Sequence, residues 1–224
     1  MPEQEVKKIR DSQMISDSIR DWWIGEVNKP IIDYCIKNKV SPDVLTMTGV
    51  GINVLAAILF WQGCFFLAGF CIVIGSNFDL LDGIVARSLH VDSQSGAFFD
   101  SVTDRYADAI LFFGLAGYYR NSWLLLIVLA AILGSFMVSY SKARSESLGI
   151  KCDVGLMQRP ERILYLGLGS GFSGLISISL SPFFSKGYEV PQYLLICILI
   201  ILAIFTNVTA IDRIRYSLEQ LRKR

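Results

Sequence analysis

Asp79-Leu-Leu-Asp82-Gly83-Ile-Val-Ala86-Arg87, then eight residues to Gly96, then Asp100 and Asp104: the reading of the whole chain turns on this stretch. Its four carboxylates recur at i, i+3 and i, i+4 spacings, which on helices sets each pair on one face. The runs on either side are apolar enough to enter a bilayer. An aspartate at mid-membrane costs roughly 2.5–3.5 kcal/mol on insertion scales, so four without partners would cost on the order of 10 kcal/mol. Cations must offset that cost. A pair of divalent metal ions is the leading candidate.

Composition supports a membrane setting. Of 224 residues, 53% are hydrophobic, and the apolar residues fall in blocks of about 20, the length that crosses a hydrocarbon core of about 30 Å. A formal net charge of +1 gives no global field of the kind that attracts nucleic acid. Five cysteines (Cys35, Cys64, Cys71, Cys152, Cys197) include no C-x-x-C pair, so neither a zinc site nor a disulfide framework is expected. The charged N-terminus does not read as a cleavable signal peptide, and membrane entry is expected through the first spanning helix.

The predicted fold is an all-α integral membrane protein with six transmembrane helices, an N-terminal amphipathic interfacial helix, and both termini cytoplasmic. Residues 1–39 form a polar arm and juxtamembrane helix, 40–215 the membrane domain, and 216–224 a basic tail. In the arm, Trp22-Trp23 suit headgroup depth, and Pro30 opens a stretch with Ile31, Ile32, Tyr34 and Ile36 that reads as an amphipathic helix in the interface, with Lys29, Lys37 and Lys39 facing phosphates. A solvated arm packed on the protein is the alternative there. The first span starts at Ser41-Pro42-Asp43 and ends near Trp61. The second runs from Cys64 into Asp79 and Asp82, the third from Gly96 to about Gly117, and the fourth from Ser122 to about Arg144. A basic loop, Lys142 to Arg162, precedes a fifth span over Ile163–Leu180, and Pro191 opens a sixth ending near Arg213. Gly167, Gly169, Gly171 and Gly174 have small-xxx-small spacing suited to close helix packing. Basic residues crowd the end of the bundle that carries the acids, and only Arg120 and Lys186 fall at the other. By the positive-inside rule the acidic site faces the cytoplasm.

Hard oxygen ligands suit Mg²⁺, with Mn²⁺ an acceptable substitute, over zinc or copper. Gly83, Ala86 and Gly96 add no bulk on the same surfaces, and Arg87, one turn after Gly83, is placed to hold a phosphate. Metals, small residues and an arginine together describe a site for a nucleotide diphosphate. Two alternatives stand beside it. Ion pairing with Arg87 and Arg105 leaves two of four carboxylates uncompensated. An acid-lined ion transporter would need neither the glycines nor the arginine.

The pattern D-x2-D-G-x2-A-R-x8-G-x3-D-x3-D resembles the signature of the CDP-alcohol phosphotransferases at every position, and the likeness extends over most of the chain from about residue 30. Ser41-Pro-Asp-Val-Leu-Thr46 is similar to the family's segment before its first span. The runs Val138-Ser-Tyr-Ser-Lys-Ala-Arg144 and Gly155-Leu-Met-Gln-Arg-Pro-Glu-Arg162 are most similar to the phosphatidylinositol phosphate synthases and their archaetidyl relatives. Ser141, Gln158 and Cys152-Asp153-Val154 depart from that pattern.

The resemblance implies transfer of a phosphatidyl or archaetidyl group from CDP-diacylglycerol or CDP-archaeol to an alcohol, with release of CMP, by a homodimer among membrane lipids. Asp79, Asp82, Asp100 and Asp104 would hold two metal ions, and Asp104 would also be the general base. Asp43, Val44, Leu45, Thr46, Asp79, Asp82, Gly83, Ala86, Arg87, Ser93 and Gly96 would contact the CDP-lipid; for Ser93, a helix N-cap is an equal alternative. Charge then suggests the acceptor pocket. Ser139, Lys142, Arg159, Arg162 and Arg213 would converge beside the metals, and arginine clusters favour a phosphorylated acceptor. That points to inositol 1-phosphate, with glycerol 3-phosphate as the runner-up. Anchoring of lipid headgroups is the alternative use of the same basic residues.

Overall fold

Why the acids end up where they do follows from seven helices in a computed structural model that describes residues 28–91, 93–183 and 192–223. The Trp22-Trp23 pair, Asp92, Lys186 and the helix-opening Pro191 lie outside those residues. α1 spans Lys29–Lys37, with Pro30 in its first turn, where a missing N–H costs nothing, and Lys37 in the last turn beside the negative helix end. Its Ile32 and Cys35 are buried against Leu45, Leu81 and Val85, while Ile31 and Tyr34 on its other side are exposed.

α2 (Pro42–Trp61) begins on Pro42 after an extended Ser41, whose side chain makes no capping bond. The chain then turns through Gly63 at φ 79°, a left-handed conformation that glycine adopts without a Cβ penalty. α3 (Phe65–Ser88) carries Asp79 and Asp82 near its C-terminal end. α4 (Gln94–Tyr118) carries Asp100 and Asp104 near its start. The two are joined by a short turn in which His90 takes φ 55°. α5 (Leu124–Ser147), α6 (Arg159–Leu180), a single 3₁₀ turn at Ser181–Phe183 and α7 (Tyr193–Arg222) complete the described residues.

Two boundaries differ from expectation. α6 opens at Arg159, not Ile163, because Pro160 suits a first helical turn and Glu161 favours the positive helix end. Arg159 and Arg162 therefore project from a helix and not from a loop. α7 continues past Arg213 to Arg222, with no proline or glycine to stop it.

Five helices (α2, α3, α5, α6 with its 3₁₀ turn, and α7) are long and apolar enough to cross a membrane. α4 has 25 residues, about 37 Å at 1.5 Å per residue, but carries Asp100, Asp104, Arg105 and Asp108. Closely packed helix pairs run α4–α2–α3–α6–α7–α5 and back to α4, which closes a ring. Its core includes Phe60, Ile72, Leu111, Leu115, Val128 and Leu199, each at most slightly exposed. Large apolar residues such as Leu55, Phe70, Phe113, Leu126, Phe172 and Ile204 point outward instead, as in a helix bundle solvated by lipid.

The glycine spacing on α6 is used for packing. A Cβ on Gly69 of α3 would run into the backbone of Gly171, and one on Gly174 into the backbone of Phe66. On the other side of the ring, a Cβ on Gly114 of α4 would strike the backbone of Ala57 on α2. These contacts bring α3 and α4, the two acid-bearing helices, close against their neighbours.

Candidate active site

Helix geometry sets Asp79 and Asp82 one turn apart at the end of α3, and the short turn after α3 brings Asp100 back to meet them. Carboxylate oxygens of Asp79, Asp82 and Asp100 all lie within 4.8 Å of one another. Three like charges at that spacing repel unless a cation sits among them, and an oxygen-only donor set suits a hard divalent ion. The three residues fit such an ion. Asp82 is buried, and Thr46 Oγ1 donates to its Oδ2 at 2.5 Å, which ties the start of α2 to the carboxylate group.

Asp104 stands slightly apart from that group. Its Oδ1 lies 2.8 Å from Arg159 Nη1, the same nitrogen that pairs with Asp79 Oδ2, and its Oδ2 lies 3.5 Å from Arg105 Nη1. Arg159 thus reaches into the acid cluster from α6 and not from a loop. One turn beyond Asp104, Asp108 accepts from Arg159 Nε at 3.3 Å and from Arg162 Nη2 at 3.1 Å. Asp108 had no role in the sequence reading. Its position four residues after Asp104, on the same helical face, was the available signal.

Of the residues expected around a CDP-lipid, Leu45 and Thr46 are buried, while Asp43 and Val44 are exposed at the start of α2. Gly83 and Ala86 are half-buried. Arg87 is exposed and folds back over Gly83, where a Cβ would sit 3.7 Å from its Nη1. Ser93 caps α4: its Oγ accepts from the Gly96 N–H at 3.0 Å and lies 3.1 Å from Ser95 Oγ.

The remaining basic residues gather at the same end of the ring. Arg162 is only 2% exposed, and its Nε and Nη1 have no hydrogen-bond partner among the described residues. A buried charged group left short of partners costs roughly 1–3 kcal/mol or more, so these two N–H groups are disposed towards an anion. Arg213, equally buried, donates from Nε to the Val154 carbonyl at 2.8 Å and from Nη1 to the Val138 carbonyl at 2.7 Å. Ser139, next to Val138, is half-buried.

Lys142 Nζ donates to Asp153 Oδ1 at 3.0 Å, with Glu146 3.8 Å away and Lys151 3.4 Å from the other Asp153 oxygen. The bond from Lys142 holds the Asp153 carboxyl below the usual carboxylate range. Lys142 and Arg213 thereby pin the loop between α5 and α6, and the N–H of Met157 docks it on Thr209 Oγ1 at 3.3 Å.

Comparison with known proteins finds one family model, two relatives and two crystal structures that this chain resembles. A family model described as CDP-alcohol phosphatidyltransferase matches residues 39–205. A phosphatidylinositol phosphate synthase of Streptomyces avermitilis is 35% identical over 193 residues, covering 83% of this chain and 75% of that protein. An archaetidylinositol phosphate synthase of Pyrococcus horikoshii is 35% identical over 137 residues, 61% of this chain and 72% of that one. Two crystal structures of Mycobacterium tuberculosis phosphatidylinositol phosphate synthase superpose with 27% identity. One, with CDP-DAG bound, gives a TM-score of 0.71 over 85% of this chain and 93% of that chain. The other, in complex with manganese and citrate, gives 0.72 over 84% and 88%.

Proposed function

The chain belongs to the CDP-alcohol phosphatidyltransferase family, and from that premise we propose that it transfers a phosphatidyl group from a CDP-linked lipid to a phosphorylated polyol, releasing CMP. The observation that carries the reading is the meeting of two unlike clusters at one end of the ring: the Asp79, Asp82 and Asp100 carboxylates and the Arg159–Arg162 guanidiniums. The donor is CDP-diacylglycerol, or CDP-archaeol in an ether-lipid membrane. The acceptor is inositol 1-phosphate.

Asp79, Asp82, Asp100 and Asp104 would hold Mg²⁺, or Mn²⁺ in its place, as two ions. When bound, the ions neutralise the diphosphate and the leaving CMP. Asp104 takes the proton from the attacking acceptor hydroxyl as the new P–O bond forms and the P–O bond to CMP breaks. Its offset from the other three carboxylates leaves room for that second task. Thr46 holds the Asp82 carboxylate in place. Asp43, Val44, Leu45, Gly83, Ala86, Arg87, Ser93 and Gly96 surround the CDP end of the donor, with Arg87 on a phosphate. Ser139, Lys142, Arg159, Arg162 and Arg213 face the acceptor, and the unpartnered Nε and Nη1 of Arg162 supply donors for its phosphate.

The membrane arrangement has six spans, α2 to α7. α4 completes the six, its charges lying towards one end of the ring, where Asp104 and Asp108 pair with arginines of α6. α1 lies at the interface, the termini and the site face the cytoplasm, and the bundle works as a homodimer. Purified protein given CDP-diacylglycerol, Mg²⁺ and a panel of acceptors tests the reading. CMP release is expected with inositol 1-phosphate, weaker release with glycerol 3-phosphate, and little with free inositol or serine. Equal rates with and without the acceptor's phosphate would contradict the pocket assignment.

A further inference from the structure

Asp108 accepts from two arginines one helical turn apart on α6, through different oxygens: Arg159 Nε on Oδ1 and Arg162 Nη2 on Oδ2. Its side chain is 8% exposed and that of Arg162 is 2% exposed, so this contact is out of water. α4 and α6 stand across the ring from each other and are not a closely packed pair. Side chains, not helix backbones, span the distance. Two guanidiniums held side by side repel, and a shared carboxylate between them offsets that repulsion. The two arginines then face different ways. Arg159 turns its Nη1 onto Asp79 and Asp104, whereas Arg162 keeps Nε and Nη1 unpartnered among the described residues.

We propose that Asp108 is a positioning residue that sets the acceptor-phosphate donors of Arg162 at a fixed place relative to Asp104, by holding both arginines on the acid-bearing helix. Asp108 itself touches neither substrate. It lies outside the group of close carboxylates, and both its oxygens are taken by guanidiniums. The consequence is directional: loss of Asp108 falls chiefly on use of the acceptor, because Arg159 keeps Asp79 and Asp104 as partners on the CDP-lipid side. The inference rests on the reading of Arg162 as an acceptor contact.

The test is steady-state kinetics on the full chain in detergent or liposomes, with Asp108→Asn, Arg162→Ala and the double variant. Asp108→Asn keeps shape and loses charge. It is expected to raise the KM for the phosphorylated acceptor about 10- to 100-fold, as a misplacement near 1 Å does. The KM for the CDP-lipid should stay near that of the parent, while the thermal midpoint falls because a buried charge pair is broken. Because Asp108 acts through Arg162, the double variant should be no worse than Arg162→Ala alone. If Arg162→Ala raises the acceptor KM but Asp108→Asn does not, or if the two effects add, the positioning role is wrong and the pocket stands. If Asp108→Asn raises both KM values alike, the role is merely structural and the inference fails. If Arg162→Ala leaves the acceptor KM unchanged, the pocket itself is wrong and the inference falls with it. Should Asp108→Asn fail to fold, Asp108→Glu keeps the charge but displaces it. A selective rise in acceptor KM is expected of it too, and an unchanged acceptor KM would overturn the proposal.

Discussion

As the proposed general base, Asp104 separates binding from chemistry at the scale of single residues. Replacement by Asn keeps its size and its place on α4 but would remove that proton acceptor. A general base contributes about 10²- to 10⁴-fold to rate, so Asp104→Asn should cut CMP release by at least that factor. CDP binding, measured by calorimetry, should largely survive. Loss of both together would make Asp104 a simple ligand, and full activity would remove it from the mechanism. The four aspartates are legible in sequence because each pair sits within a single helix, where spacing alone sets the face. Arg159 is not legible in the same way. It pairs with Asp79, 80 positions earlier in the chain, and no local pattern says which loop or helix end will reach back into an acid cluster. Asp108 is hidden for a related reason, since its two partners come from a helix whose start the basic run conceals.

Elements are positioned by close approach, and here glycine does what a larger residue cannot. Gly114 lets α4 lie against Ala57 of α2, and α4 carries two of the four acids. Gly114→Ala should destabilise the bundle by about 1–3 kcal/mol, the usual cost of an overpacked contact. The loss would be read as a lower thermal midpoint in detergent and a lower yield of active protein. Gly51, exposed on α2 with nothing within 4 Å of a Cβ, is the control. Gly51→Ala should hold or raise the midpoint, since alanine is favoured over glycine in a helix by about 1 kcal/mol. Equal losses at both sites would show that the close contact does not matter. Five of the helices and most boundaries are legible from apolar blocks of spanning length. The start of α6 is not, because Arg-Pro-Glu-Arg reads as a polar loop until Pro160 is recognised as a first-turn residue. The polar tail reads as an end until α7 is seen to continue through it. The ring order of helices is not legible at all, because it depends on which small residues meet across helices.

At the scale of the whole molecule, a ring of long helices holds an acidic cluster and a basic cluster at one end. The two clusters are linked through Arg159 and Asp108, so on the proposed function the donor and acceptor sides form one connected site. The most direct measurement is the stoichiometry of the products in liposomes containing the protein, CDP-diacylglycerol and inositol 1-phosphate. One CMP is expected for each new lipid bearing two phosphates, in a reaction that Mg²⁺ or Mn²⁺ supports and a chelator abolishes. CMP without a matching two-phosphate lipid, or a rate indifferent to chelation, would contradict it.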